Sequence, residues 1–205
     1  MTDEHYFTKH PSSRGGRMTF AVTLRGHELR LTTEAGVFSR SHVDPGTRLL
    51  IQHMEIAPTD TVLDLGCGYG VVGIAAAKLA PEGHVTLVDI NERAVALAND
   101  NLRANSVQNA EAVQGDAFAP VADRRFHVIA LNPPIRAGNA VIHRLIEQAR
   151  DHLEAGGRFY LVGRTQQGVI RLAAKMAEVF GEVDEVAKGG GYRVYVSHRA
   201  AEASA

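Results

Sequence analysis

Three consecutive residues, Asn132-Pro133-Pro134, end an apolar run that reads as a core strand. Proline lacks a backbone N–H and stops a strand, so the pair also stiffens the chain at this point. The Asn132 side chain offers one carbonyl and the Pro133 backbone another. Two acceptors held this way can take both N–H bonds of an exocyclic amine and aim its lone pair at an electrophile. An amine conjugated to a ring is a poor nucleophile, and what it needs is orientation. Its proton can leave after bond formation, so a neutral amide suffices in place of a strong base. A strand-terminating turn with an Asx cap is the plainer reading of the same residues.

A second constellation lies upstream. The stretch VLDLGCGYGVVG, residues 62–73, contains Gly68-x-Gly70-x-x-Gly73, and Asp89 follows about 20 residues on, the spacing of a dinucleotide fingerprint. Glycines that let a backbone approach a ligand serve an adenosine with a charged amino-acid tail as well as a pyrophosphate. Asp64, two residues before Gly66, tilts the choice. A carboxylate there repels a pyrophosphate and suits an ammonium, met directly or through water. Asp89 can accept from two ribose hydroxyls, and Asp116, in GDAF at 115–118, from an adenine amino group. Each has a structural alternative: a helix N-terminal anion for Asp64, a helix N-cap ahead of Asn91-Glu92 for Asp89, a turn residue for Asp116.

The elements that must hold these residues follow from periodicity. From Asp60 onward, strands at TVLDLG, HVTLVDI, AEAVQGD, FHVIALN and RFYLVG alternate with helices at VVGIAAAKLA, ERAVALANDNLRAN, AVIHRLIEQARDHLEAGG and VIRLAAKMAEVFG. The third of these helices is expected to end on a glycine C-cap at Gly156-Gly157. EVDEVAK and YRVYVSH sit too close for a helical crossover and should pair antiparallel across Gly189-Gly190-Gly191. The expectation is an α/β fold, a doubly wound Rossmann-like sheet of seven mostly parallel strands with an antiparallel last strand. Ligand loops then gather at the carboxyl ends of the strands, at Gly66 to Gly70, after Asp89, after Gly115 and at Asn132 to Ile135. Ahead of the sheet, MTFAVTLRGHELRLTT reads as a hairpin, and Asp44-Pro45-Gly46-Thr47 as turn chemistry before a short helix. The expected organisation is an arm, hairpin and cap segment at 1–50, the α/β domain at 51–198 and a tail at 199–205.

Composition narrows the classes. The chain has 205 residues, a formal net charge of −1 and a single cysteine, Cys67. A disulfide framework is excluded, and a strongly basic nucleic-acid footprint is absent overall. A modest arginine excess between Pro11 and Leu50 (Arg14, Arg17, Arg25, Arg30, Arg40 and Arg48) suits a solvated face or a substrate face equally. No apolar run approaches a bilayer span and the first residues lack a signal-peptide core, so a cytoplasmic protein with no membrane partner is expected. The ten histidines show no metal-ligand spacing, Cys67 has no partner cysteine, and His127 is expected on a strand face.

VLDLGCGYG, VTLVDINERAVALANDN, GDAF and LNPPI, in this order, resemble the successive motifs of class I S-adenosylmethionine-dependent methyltransferases over roughly residues 60–198. The resemblance implies that Asp64 and the loop Gly66, Cys67, Gly68 and Gly70 hold the methionine part of S-adenosyl-L-methionine. It also implies that Asp89 binds the ribose, Ile90 packs on the adenine, Asp116 with Ala117 reads the adenine edge, and Asn132, Pro133 and Pro134 form the catalytic acceptor site, with Asn132 also touching the cofactor. With GVFSRSHVDPGTRLL ahead of the core, the chain is similar to the methyltransferase-small family and its small-subunit ribosomal RNA guanine-amine enzymes. By that likeness Phe38, Ser39 and Arg40 edge the substrate pocket. The family pattern has an aromatic after Asn-Pro-Pro. This chain has Ile135, which loses π-stacking, and Arg136 or Phe38 can supply a planar surface instead. The expected activity is N-methylation of a guanine amine, with ribosomal RNA or the small ribosomal subunit as partner. Methylation of a protein amide or small molecule, and a non-catalytic cofactor-binding module, are the alternatives.

Overall fold

The computed structural model describes residues 16–34, 42–134 and 138–201. Among these residues, nine strands and five α-helices follow in chain order: β1 (Met18–Leu24), β2 (His27–Thr33), α1 (Pro45–His53), β3 (Thr61–Leu65), α2 (Val71–Leu79), β4 (His84–Asp89), α3 (Glu92–Ala104), β5 (Ala110–Gln114), β6 (Phe126–Leu131), α4 (Asn139–Asp151), β7 (Leu153–Arg164), α5 (Val169–Phe180), β8 (Asp184–Gly189) and β9 (Tyr192–His198). The seven-stranded sheet has the order β5-β4-β3-β6-β7-β9-β8. Its strands run parallel except β9, which pairs antiparallel with both β7 and β8. The expected doubly wound sheet is therefore present, with its reversed last strand.

Strand alternation divides the core into two layers. Val62, Val85, Leu87, Val128 and Ala130 face one side, with residues of the hairpin, α1, α2 and α3. Leu63, Leu65, Val88, Ile129 and Leu131 face the other, with α4 and α5. This period of two also sets the polar residues: Asp64 and Asp89 fall in the Val62 and Leu87 parity, and Asn132 in that of Ala130. All three therefore lie on the layer of α1, α2 and α3.

The N-terminal hairpin turns through Arg25 and Gly26, both in the left-handed region at φ 48° and 82°, as a two-residue hairpin requires. Its outer edge is closed by two asparagines one helical turn apart, Asn101 on α3 and Asn105 at its C-cap. Asn101 accepts from the Thr32 N–H and donates to the Thr32 carbonyl, while Asn105 does the same for Arg30. The side-chain amides thus stand in for a neighbouring strand, satisfying backbone groups that an edge leaves open. Asn101 also donates to the carbonyl of Tyr69, so the hairpin and the glycine loop share one anchor.

The end of α4 departs from expectation. The helix stops at Asp151 with His152 as C-cap, and Leu153 already belongs to β7. The Phe126 N–H bonds the His152 carbonyl, and the pairing of β6 with β7 shifts register between Phe126 and Val128. Gly156, at φ 75°, turns the irregular start of a strand, where a helix C-cap was expected. Strand pairing captures this segment before the glycines are reached.

The arginine excess is partly committed to structure. Arg17 pairs with Glu34 and Asp100. Arg25 donates to the carbonyls of Ile51, Gln52 and Met54, where α1 ends.

Candidate active site

In the sheet, β3 and β6 are neighbours, and the chain winds outward from them in opposite directions. That is the switch point at which open α/β sheets bind ligands. Leu65 is in register with Leu131, so the glycine loop after β3 and Asn132 after β6 emerge side by side.

Two cavities open there. The larger, about 340 Å³, is lined by Gly66, Asp89, Ile90, Gly115, Asp116, Ala117, Asn132 and Pro134, with Val141, Arg144 and Leu145 of α4 on its far wall. The smaller, about 60 Å³, is lined by Thr47, Asp64, Gly66, Cys67, Gly68, Asp89, Asn132 and Pro133, among others. Gly66, Asp89 and Asn132 line both, so the cavities meet at these three residues. A Cβ at Gly66 or Gly68 would stand in open space with φ in the left-handed region, and this leaves room for a ligand to lie against the bare backbone.

The two carboxylates hold the glycine loop as well as lining it. Asp64 is buried, and its Oδ2 accepts from the Gly73 N–H at 2.8 Å. Gly73 is the third residue of α2, whose N-cap Gly70 has no side chain to offer, so Asp64 reaches from β3 to cap it. The structural alternative for Asp64 is thus realised together with its place in the cavity. Asp89 accepts from the Gly68 N–H at 2.8 Å and from the Asn91 N–H at 2.9 Å. The N-cap of α3 is Asn91, not Asp89.

These bonds answer the pyrophosphate question. The loop and helix donors at Gly68 and Gly73 that would cradle a diphosphate are already taken by carboxylates. Burial, and then the nearby charge of Asp89, push the Asp64 carboxyl up to about 7, against the lowering bond from Gly73. Burial likewise raises Asp89. Cys67 is buried, and its thiol is raised by burial first and then by Asp89 and Asp64; it stays protonated, which suits a small wall residue. Two carboxylates thus line the smaller cavity, with the loop donors at Gly68 and Gly73 already spent on them.

Asn132 donates from Nδ2 to Thr47 Oγ1 at 2.9 Å. Thr47 was read from sequence only as part of a turn, and Val141, Arg144 and Leu145 were not anticipated. The Asp-Pro-Gly-Thr helix start was the available signal for Thr47. The α4 residues carried none, since their reach depends on how that helix docks. Among the expected substrate residues, Phe38, Ser39, Arg40, Ile135 and Arg136 lie outside the described residues. His127 sits on β6, where its Nδ1 meets Thr61. Among the described residues, no group of three metal-ligating side chains and no helix long and apolar enough to cross a membrane is found.

The strand order and the carboxylate-held glycine loop define a class I S-adenosylmethionine-dependent methyltransferase. The chain belongs to the methyltransferase small domain family, whose model matches residues 28–196. It is 38% identical over 193 residues to an uncharacterised Bacillus subtilis protein, YbxB, covering 93% of this chain and 96% of that one. It is 32% identical to ribosomal RNA small subunit methyltransferase C of Pseudomonas paraeruginosa, over 88% of this chain and 54% of that one. The solved Thermus thermophilus 16S rRNA N2 G1207 methyltransferase, in complex with AdoMet and guanosine, matches with a TM-score of 0.79 and 27% identity. That match covers 89% of this chain and 50% of that one. The chain therefore spans about half the length of these ribosomal RNA methyltransferases.

Proposed function

We propose that this protein transfers a methyl group from S-adenosyl-L-methionine to the exocyclic N2 amine of a guanine in ribosomal RNA. The observation that carries the reading is the place of Asn132, on the seam between the two cavities. Residues of the larger cavity would hold the cofactor's adenosine and those of the smaller its amino-acid tail, with Asn132 between them. The cofactor supplies a methyl carbon on a positively charged sulfur, which leaves as a neutral thioether.

The chain's own residues do the rest. Asp64 faces the ammonium of the tail, and the backbone of Gly66, Cys67, Gly68 and Gly70 lies along it. Asp89 keeps lone pairs beyond its two backbone bonds and takes the ribose hydroxyls. Ile90, with Val141 and Leu145, covers the adenine, and Asp116 with Ala117 meets its edge. Asn132 Oδ1 and the Pro133 carbonyl accept the two amine N–H bonds. Held there, the amine would take the methyl group that the cofactor would supply, the C–S electrons staying with sulfur. The extra proton then leaves the nitrogen for solvent. The rate comes from orientation and from excluding rotation of the amine, with Asn132 acting as a neutral acceptor.

The family, the relatives acting on ribosomal RNA and the guanosine held by the Thermus structural neighbour support this substrate class. The test is transfer of labelled methyl to small ribosomal subunits, large subunits, free ribosomal RNA and total protein side by side. Label recovered as N2-methylguanine in ribosomal RNA is expected. Label confined to protein or to small molecules overturns the reading.

A further inference from the structure

Thr47 lies 85 residues upstream of Asn132, yet its hydroxyl is the partner of the Asn132 amide. The local sequence builds that position residue by residue. Asp44 is the N-cap of α1, with its Oδ2 accepting from the Thr47 N–H at 3.0 Å. Pro45 stands at the first helical position, where its missing N–H costs nothing. Gly46 packs under the Tyr192 ring, and a Cβ there would overlap it. The Tyr192 hydroxyl donates to the other oxygen of Asp44 at 2.7 Å and accepts from Arg164 Nε at 2.8 Å. Arg164 also lies over the Tyr192 ring, 4.8 Å from its centroid. Asp44, Thr47 and Tyr192 are all buried, so the bonds among these three form in a medium that strengthens them.

An asparagine amide has two ends of similar shape and opposite function. Left free, it turns about its last torsion and can present N–H bonds to an amine that needs an acceptor. In this structure Nδ2 is bonded to the Thr47 hydroxyl, which leaves Oδ1 as the end that can accept. We propose that Thr47 is a positioning residue that holds the Asn132 carbonyl toward the acceptor amine, and that the Asp44–Tyr192–Arg164 chain fixes Thr47 for this task. The inference rests on the reading of Asn132 given above.

Two measurements test it. The first needs no substrate: hydrogen exchange of the Asn132 side-chain amide, followed by NMR. One of its two Nδ2 protons exchanges slowly in the wild type and in Thr47→Ser, and both exchange fast in Thr47→Val. The second is single-turnover methyl transfer at saturating cofactor. Thr47→Val lowers the rate about ten- to a hundred-fold, as lost positioning does, and Thr47→Ser stays within about threefold. In an Asn132→Ala background Thr47→Val has little further effect, since the two act as one unit.

Equal rates for Thr47→Val and wild type at saturating cofactor would overturn the proposal. So would a Thr47→Ser rate as low as that of Thr47→Val, or losses that multiply in the double variant. Should Asn132→Ala itself transfer normally, the acceptor-site reading falls, and this inference with it. A slow Asn132→Ala beside an unaffected Thr47→Val sinks the inference alone.

Discussion

Replacing Asp64 by asparagine removes a carboxylate that burial has pushed up to about 7, and the consequence can be worked out before the measurement. Only the charged form attracts the cofactor's ammonium. With a carboxyl titrating at about 7, roughly 9% is charged at pH 6 and roughly 91% at pH 8, so its contribution to affinity falls about tenfold over that range. The ligand's own amino group titrates too, but identically for wild type and variant. The informative quantity is therefore the ratio of the two dissociation constants at each pH. Titration calorimetry from pH 6 to pH 8 should show the wild type about 10- to 100-fold tighter at pH 8, the value of a charge-assisted bond, and that advantage should shrink about tenfold by pH 6. The stability of the ligand-free protein carries the opposite sign. The folded value of Asp64 lies above its ordinary one, so the native state holds a proton that the unfolded chain has released. The group's contribution therefore falls as pH rises from about 4 toward 7 and is flat above. Asp64→Asn should melt higher relative to wild type at pH 8 than at pH 5. A pH-independent ratio of dissociation constants would refute the assignment of Asp64 to the ammonium and leave it only as the cap of α2.

Three further outcomes are expected. Asn132→Ala should cut transfer by at least ~10²-fold while cofactor affinity changes little, because orientation is lost and the cofactor walls remain; unchanged turnover would return Asn132 to the role of a turn residue. Gly73→Ala would drive a methyl group into the side chain of Leu87 on β4. Overpacking of this kind costs about 1–3 kcal/mol, part of which alanine's better helix propensity offsets, so thermal unfolding should fall by several degrees. Asn101→Ala leaves both backbone groups of Thr32 and the carbonyl of Tyr69 without their partner. Hydrogen exchange at the Thr32 amide should speed up well before global unfolding does.

The sheet was legible in the sequence because its evidence is repeated. Five apolar strands alternate with four helices, and an error in one leaves the others in place. The glycine loop was legible for a different reason: Gly66, Gly68 and Gly70 all adopt positive φ, a demand that few residues other than glycine meet. The end of α4 was not legible, since Gly156-Gly157 is good local chemistry for a helix cap and only the pairing of Phe126 with Leu153 shows that the strand has already begun. The helix start at Thr47 was legible, but its hydroxyl's bond to Asn132 was not, for the same physical reason. Nothing near it in sequence needs its hydroxyl, and its partner lies on a strand end across the fold.

The double role of the two carboxylates follows from that same topology. In a parallel sheet each strand ends beside the start of the helix that follows, so a carboxylate at a strand end is within reach of unsatisfied helix donors. Asp64 and Asp89 use this to hold the glycine loop, and in the proposed reading the same side chains also meet an ammonium and a ribose. A substitution at either position therefore acts on loop order and on ligand charge together. Asp64→Asn keeps an oxygen that can still accept the Gly73 N–H while removing the charge, whereas Asp64→Ala removes both. If Asp64→Ala loses affinity and also frees the Gly73 amide to exchange, while Asp64→Asn loses affinity alone, the two roles are separable on one side chain. Equal exchange in the two variants would mean that the loop is held by the remaining bonds and that Asp64 serves the ligand only.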